Sequence, residues 1–172
     1  RVNGYLLLNG NKYPAQAIHR IDYETSGLVL FCKHPFFQAY CDKNMEEHHI
    51  KKDYIALVQG HTNYKNKKIV SNIARDRHNA KKMIIHPNGK ESISIFNTLK
   101  NYKDCSLIQV TILTGRKHQI RVQCASLNHP ILNDPLYGGK RIDNTGLLLQ
   151  SHHIQFNDID ITCPQEKRFI RK

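Results

Sequence analysis

The sequence has no long apolar run. Its longest, such as Tyr5 to Leu8 and Gly27 to Cys32, extend only a few residues, against about 20 for a membrane-spanning helix. A spanning helix is therefore excluded, and no membrane partner is expected. The chain also lacks any Cys-x-x-Cys pair. Its two His-His pairs, His48-His49 and His152-His153, stand without Cys or carboxylate partners at metal-ligand spacing, so no metal site is expected. The five cysteines (Cys32, Cys41, Cys105, Cys124, Cys163) are scattered and odd in number. That pattern excludes a disulfide framework and fits reduced thiols in a cytoplasmic compartment. No solenoid-period repeat and no Pro/Gly/Ser linker divides the chain. No secretory signal pattern opens it, and a first residue of Arg1 rather than Met implies a processed or trimmed amino terminus.

Acidic residues are scarce. Fourteen Asp and Glu face 26 Lys and Arg, a formal charge of +12 with the 11 His counted neutral. A sequence pI near 9.6 favours a polyanionic partner, nucleic acid or an anionic membrane face, over a merely basic surface only when further features support it. The 172 residues, 40% hydrophobic and 23% charged, suit one globular domain. A domain of this size buries roughly 70% of the surface its unfolded chain exposes.

Periodicity gives the elements. Ser26 to Cys32 is a β-rich apolar run behind the turn-like Thr25-Ser26-Gly27 and predicts a strand. Pro35 to Ile50 places Phe36, Phe37, Tyr40, Cys41 and Met45 near helical spacing, with Pro35 suited to a first turn. Asp53 to Val58, Val70 to Ile73 and Lys82 to His86 read as strands, the last two around the basic loop Arg75 to Lys81. Ser92 to Leu99 and Cys105 to Leu113 alternate and are expected to pair. Ile120, Cys124 and Leu127 then share one helical face until Asn128-His129-Pro130 stops it. Short strands follow from Leu147. Strands outnumber helices and join by short turns, so the fold class is α+β with a mixed, mainly antiparallel sheet and flanking helices.

Two segments carry chemistry. In His19-Arg20-Ile21-Asp22-Tyr23-Glu24-Thr25-Ser26-Gly27, a carboxylate precedes a turn and a buried strand, where it is held firmly yet stays reachable. Asp22 can serve there as nucleophile or base, or simply as a turn residue paired with Arg20. In Thr114-Gly115-Arg116-Lys117-His118-Gln119-Ile120-Arg121, basic residues crowd a helix start. That placement is unfavourable for the helix itself and suits phosphate or a buried carboxylate, or else a solvated basic face.

Together, His19 to Leu30, Lys52 to Gly60 and Gly115 to Gly138 resemble, in order, the three signature blocks of the RluA-type pseudouridine synthases. Weaker similarity covers Gly89 to Phe96 and Leu147 to Phe156. The resemblance implies a single pseudouridine synthase catalytic domain over 1–172, shortened at its amino end and without a separate RNA-binding module. It implies an isomerase that converts a uridine of ribosomal RNA or tRNA to pseudouridine without a cofactor, acting as a monomer. By the match Asp22 is the essential carboxylate, attacking covalently or removing a sugar proton to give a glycal. Tyr54 packs against the target base, and Arg121 pairs with a buried Asp22. Arg20 contacts RNA beside the extruded nucleotide, Arg116, Lys117 and His118 meet phosphate and substrate, and Ile120 floors the base. His19 is expected to be structural, bonded to backbone.

Some positions depart from the family's pattern. Gln123 stands where His is usual, Asn128 and Asn133 where Gly is usual, and Ser92, Ser94 and Phe96 replace the common Ala, Thr and aromatic residues. The family's opening strand and Lys-Pro-x-Gly turn have no counterpart before His19. Two other readings bear testing: a catalytically inactive RNA binder of the same fold, and a metal-dependent nuclease. The nuclease would want clustered carboxylates, and here they are scattered.

Overall fold

A computed structural model describes residues 1–170. The elements run α1 (Val2–Leu8), β1 (Gln16–Ala17), β2 (Ser26–Gly27), β3 (Phe31–Cys32), α2 (Gln38–Glu46), β4 (Lys51–Gln59), β5 (Lys67–Arg75), β6 (Met83–Ile85), β7 (Lys90–Asn101), β8 (Cys105–Ile112), α3 (Gln119–Ser126), β9 (Leu149–Phe156) and β10 (Ile159–Thr162). One sheet holds eight of the strands in the order β10-β9-β4-β8-β7-β5-β6, with β2 added beside β9. Every pairing in it is antiparallel except β2 with β9. The α+β class with a mainly antiparallel sheet is what the residue pattern predicts.

β4 lies at the centre, between β8 and β9. Its residues Lys52 to Val58 are all buried, which explains a nearly continuous apolar run where an edge strand would alternate. The main core gathers Ile55, Leu57, Phe96, Ile108, Val110 and Leu148, and α3 covers it with Ile120 and Cys124. A second cluster, built on Cys32, Cys41, Ile50, Ile154 and Phe156, seats α2.

Three elements differ from expectation. The run Ser26 to Cys32 is not one strand. Its ends pair with different partners, Ser26-Gly27 with Gln150-Ser151 and Phe31-Cys32 with Gln16-Ala17, so the chain crosses from one sheet to the other through Leu28, Val29 and Leu30. α1, unanticipated, has no buried residue. The helix expected from Pro35 forms as a 3-10 turn, Pro35–Phe37, continued by α2. Asn128 and Asn133 both take φ near 62°, a left-handed conformation that Asn tolerates better than other side chains.

Candidate active site

The turn bearing Asp22 is pinned on several sides. Thr25 N–H donates to the Asp22 carbonyl at 3.0 Å, and Leu28 N–H donates to the Ser151 carbonyl at 3.0 Å. Arg168 Nη2 donates to Ser26 Oγ at 2.7 Å. Gly27 has φ of 104°, and a Cβ there would lie 2.1 Å from the Ser151 carbonyl oxygen. Only glycine lets β2 approach β9 this closely. His19 Nε2 accepts the Leu30 N–H at 3.0 Å, and burial pushes its imidazole down to about 4. It is a neutral strut, as expected. Asp22 itself is half-buried on this pinned turn, so its carboxylate stays open to a substrate.

Tyr54 comes from β4 and faces Ser151 across the register, where the β4–β9 ladder shifts between Asp53 and Tyr54. It is 6% exposed. Burial pushes its phenol up to about 12, the Ser151 hydroxyl works against that rise, and the Asp22 charge adds to it. A cavity of about 150 Å³ is lined by Arg20, Asp22, Tyr54, Arg116, Lys117 and Ile120 among others. Six of the eight residues singled out in the sequence thus meet at one cleft. Arg20 and Lys117 are exposed, and among the described residues neither forms an ion pair. Their charges face solvent at the rim.

The other two lie behind the wall, and here the sequence reading needs correction. Arg121 does not bond to Asp22. Its Nε donates to Asp134 Oδ2 at 2.8 Å and its Nη2 to Asp134 Oδ1 at 2.8 Å, while Nη1 reaches Glu24 Oε2 at 3.2 Å. Asp134 is 0% exposed and Arg121 3%. A planar fork and a carboxylate match two bonds at once, so the fully buried Asp134 outcompetes the half-buried Asp22 for the guanidinium. Burial acts to lower the Arg121 pKa, but Asp134, Glu24 and then Asp22 outweigh it and hold it above its ordinary value. The Tyr137 ring completes the enclosure, its centroid 5.2 Å from the Arg121 guanidinium carbon. Arg121 therefore acts on the Asp22 turn through Glu24, two residues further along the same turn.

His118, expected to meet phosphate, is 8% exposed and contacts the Tyr137 hydroxyl through Nδ1 at 2.8 Å. That hydroxyl also accepts the Met83 N–H at 2.9 Å. Burial leads in lowering the His118 pKa. The backbone reason is φ of 54° at His118, which turns its side chain inward while Arg116 and Lys117 stay outside.

Gln119 anchors this loop. Its Oε1 accepts from Thr114 Oγ1 at 2.9 Å and from the Arg116 N–H at 3.0 Å, and its Nε2 donates to the Ile93 carbonyl at 3.0 Å and to Ser94 Oγ at 2.8 Å. The buried Gln123 donates to Ser71 Oγ at 3.1 Å and Ser92 Oγ at 3.2 Å. Three departures from the family's pattern, Ser92, Ser94 and Gln123, therefore belong to one hydrogen-bonded layer under α3. Asp134, Glu24 and Tyr137 escaped notice in the sequence although they lie within the quoted blocks. A buried Asp before Pro135 is the one local hint of the first. Among the described residues no group of His, Cys, Asp and Glu is arranged to hold a metal ion.

Known proteins resemble this chain in sequence and in fold. The profile of a family described as RNA pseudouridylate synthase matches residues 2–126. An uncharacterised RNA pseudouridine synthase of Bacillus subtilis is 37% identical over 134 residues, 77% of this chain and 44% of its own length. A ribosomal large subunit pseudouridine synthase C of Buchnera aphidicola is 39% identical over 175 residues, 92% of this chain and 55% of its own. The chain thus spans about half the length of the curated relatives it matches. Among solved structures, human RNA pseudouridylate synthase domain containing 1 superposes with a TM-score of 0.79 at 24% identity, covering 88% of this chain and 69% of that one. It shares the fold.

Proposed function

The chain belongs to the RNA pseudouridylate synthase family, and on that premise we propose that it isomerises a specific uridine of ribosomal RNA or tRNA to pseudouridine, with Asp22 as the essential carboxylate. The observation that carries this reading is the meeting of Asp22, Tyr54 and Ile120 in one cleft rimmed by Arg20, Arg116 and Lys117. The reaction breaks the bond from C1′ to N1 of uracil and joins C1′ to C5, with the C5 proton lost and one proton taken up at N1. Atoms balance without an oxidant or a second substrate.

Each residue has a part that its surroundings support. A uridine inside structured RNA must leave its stack, at a cost of a few kcal/mol, and the exposed Arg20 is placed to fill or stack in the vacated space. Arg116 and Lys117 take backbone phosphates. Tyr54 and Ile120 receive the base on their apolar surfaces. Tyr54 stands protonated at neutral pH because its phenol titrates near 12, so packing and hydrogen bonding are its first duties. Asp22 either adds to C1′ or takes a proton from C2′, and both routes need one ionised, fixed carboxylate. Arg121, with Asp134 and Glu24, is a positioning residue for that turn.

The test is pseudouridine formation in transcribed ribosomal RNA and tRNA, incubated with the wild-type chain and with Asp22→Asn. Product from the wild type alone supports the reading. Equal RNA binding by both, with product from neither, favours the inactive binder.

A further inference from the structure

Lys52 is a lysine in an unusual place. It is 6% exposed, and among the described residues its Nζ has as its only hydrogen-bond partner the Met45 thioether, Sδ at 2.9 Å. Sulfur is a weak acceptor. Burial alone pushes its ammonium down to about 8, with no carboxylate opposing the fall. Buried ammonium groups are normally paired.

Lys52 lines a second cavity of about 460 Å³, contiguous with the catalytic cleft through Arg20, Tyr54 and Arg116, which line both. The volume falls in the range of small-ligand pockets, about 300–1,000 Å³. Its walls carry the cations Arg20, Arg116 and Lys52 against one carboxylate, Glu46, and His48 closes it at the end of α2. Three positive charges against one negative, beside a base-binding residue, describe a site for an anion that enters together with the base.

We propose that Lys52 is an RNA ligand, taking the phosphodiester next to the target nucleotide as that nucleotide turns into the cleft. This rests on the reading of the chain as an RNA-modifying enzyme, and it adds a recognition residue outside the cleft that holds Asp22. The neighbouring phosphate supplies the anion that the protein interior does not, and Arg116 holds another of its oxygens. An ammonium whose partner among the described residues is a weak sulfur acceptor is then ready for the ligand, at some cost in stability.

The test is fluorescence anisotropy with a labelled ten-nucleotide oligouridylate over a range of KCl concentrations. It compares the wild type, Lys52→Met and Lys65→Met, the last removing an exposed charge on the loop after β4. Lys52→Met is expected to bind roughly tenfold more weakly, as for one lost charge-assisted contact. Its plot of log affinity against log salt should be shallower by about 0.7, the increment for one phosphate of a single strand. Its melting temperature should equal or exceed that of the wild type, because an unpaired buried charge is gone. A salt slope unchanged from the wild type, or a change no larger than that of Lys65→Met, overturns the proposal. A variant that melts lower and binds normally assigns Lys52 to structure alone and overturns it too. Because the readout is affinity, absence of pseudouridine in the synthase assay leaves this result standing, and an unchanged slope leaves the synthase reading standing.

Discussion

Arg121 and Asp134 are joined by two parallel bonds of 2.8 Å in a fully buried pair, and the turn bearing Asp22 hangs from the third arm of the same guanidinium through Glu24. Breaking such a pair from one side strands a charge in the interior. Asp134→Ala is expected to lower stability by about 3–5 kcal/mol, read from urea unfolding. Arg121→Lys keeps the charge and loses the fork, so it should cost less stability while still lowering turnover. Glu24→Gln should leave stability nearly unchanged, since its side chain is 51% exposed, and should lower kcat more than it raises KM. Equal losses of stability from Glu24→Gln and Asp134→Ala would contradict this division of roles.

The same pair shows what sequence reasoning can reach. Asp22, Tyr54, Arg20 and Ile120 could be placed at one site because each sits in a block whose resemblance brings its function along. The partner of Arg121 could not. Asp134 lies 13 residues on, past the Asn128 turn and Pro130, and no periodicity carries a contact across such a corner. Choosing between Asp22 and Asp134 required knowing which carboxylate is fully buried. His118 was misplaced for a related reason. Its neighbours Arg116 and Lys117 are solvent-facing, and only the left-handed backbone at His118 separates them.

The central strands were legible because burial leaves a strong mark on composition. β4 carries the unbroken apolar run Tyr54 to Val58, and β7 and β8 alternate. The split of Ser26 to Cys32 into β2 and β3 was not, because the run is uniformly β-prone and only its partners differ. α1 had no amphipathic signal to read, and none of its residues is buried.

Gly27 offers a test of how rigidly the turn bearing Asp22 must be held. Alanine there meets both an unfavourable φ and the Ser151 carbonyl oxygen. The two together are expected to cost at least 1–3 kcal/mol, on the order of one strained residue, and to depress turnover by moving Asp22. Thermal melting and the synthase assay, run together, check this. A Gly27→Ala protein with wild-type kcat would show that β2 need not dock on β9.

His153 links β4 to the β10 hairpin. Its Nδ1 lies 2.9 Å from Asp53 Oδ2 and its Nε2 2.9 Å from Asp160 Oδ1. The bonds to Asp160 and Asp53 raise its pKa above 6.5. A raised folded pKa means the protonated form favours the fold. The contribution is complete below the unfolded value of about 6.5 and disappears as pH rises through the folded value. The difference in melting temperature between the wild type and His153→Gln should therefore shrink from pH 6 to pH 9. A difference that is flat or grows with pH would contradict the two-carboxylate bridge. Comparing variants cancels the opposite trend of His19, His118 and His152, whose burial lowers their pKa values.

Tyr54→Phe separates packing from proton transfer. The ring is retained, so RNA affinity should stay within about twofold, while loss of a general acid–base group lowers kcat by roughly 10²–10⁴. Single-turnover rates at saturating enzyme report the difference. A rate equal to the wild type would leave Tyr54 a packing role only.

The central claim is that Asp22 makes pseudouridine. The most direct measurement is the pseudouridine content of transcribed ribosomal RNA and tRNA after incubation with wild-type protein or with Asp22→Asn, alongside their affinities for the same RNA. The account predicts a mapped, modified uridine with the wild type, none with Asp22→Asn, and similar binding by both. Product from Asp22→Asn at the wild-type rate would contradict it.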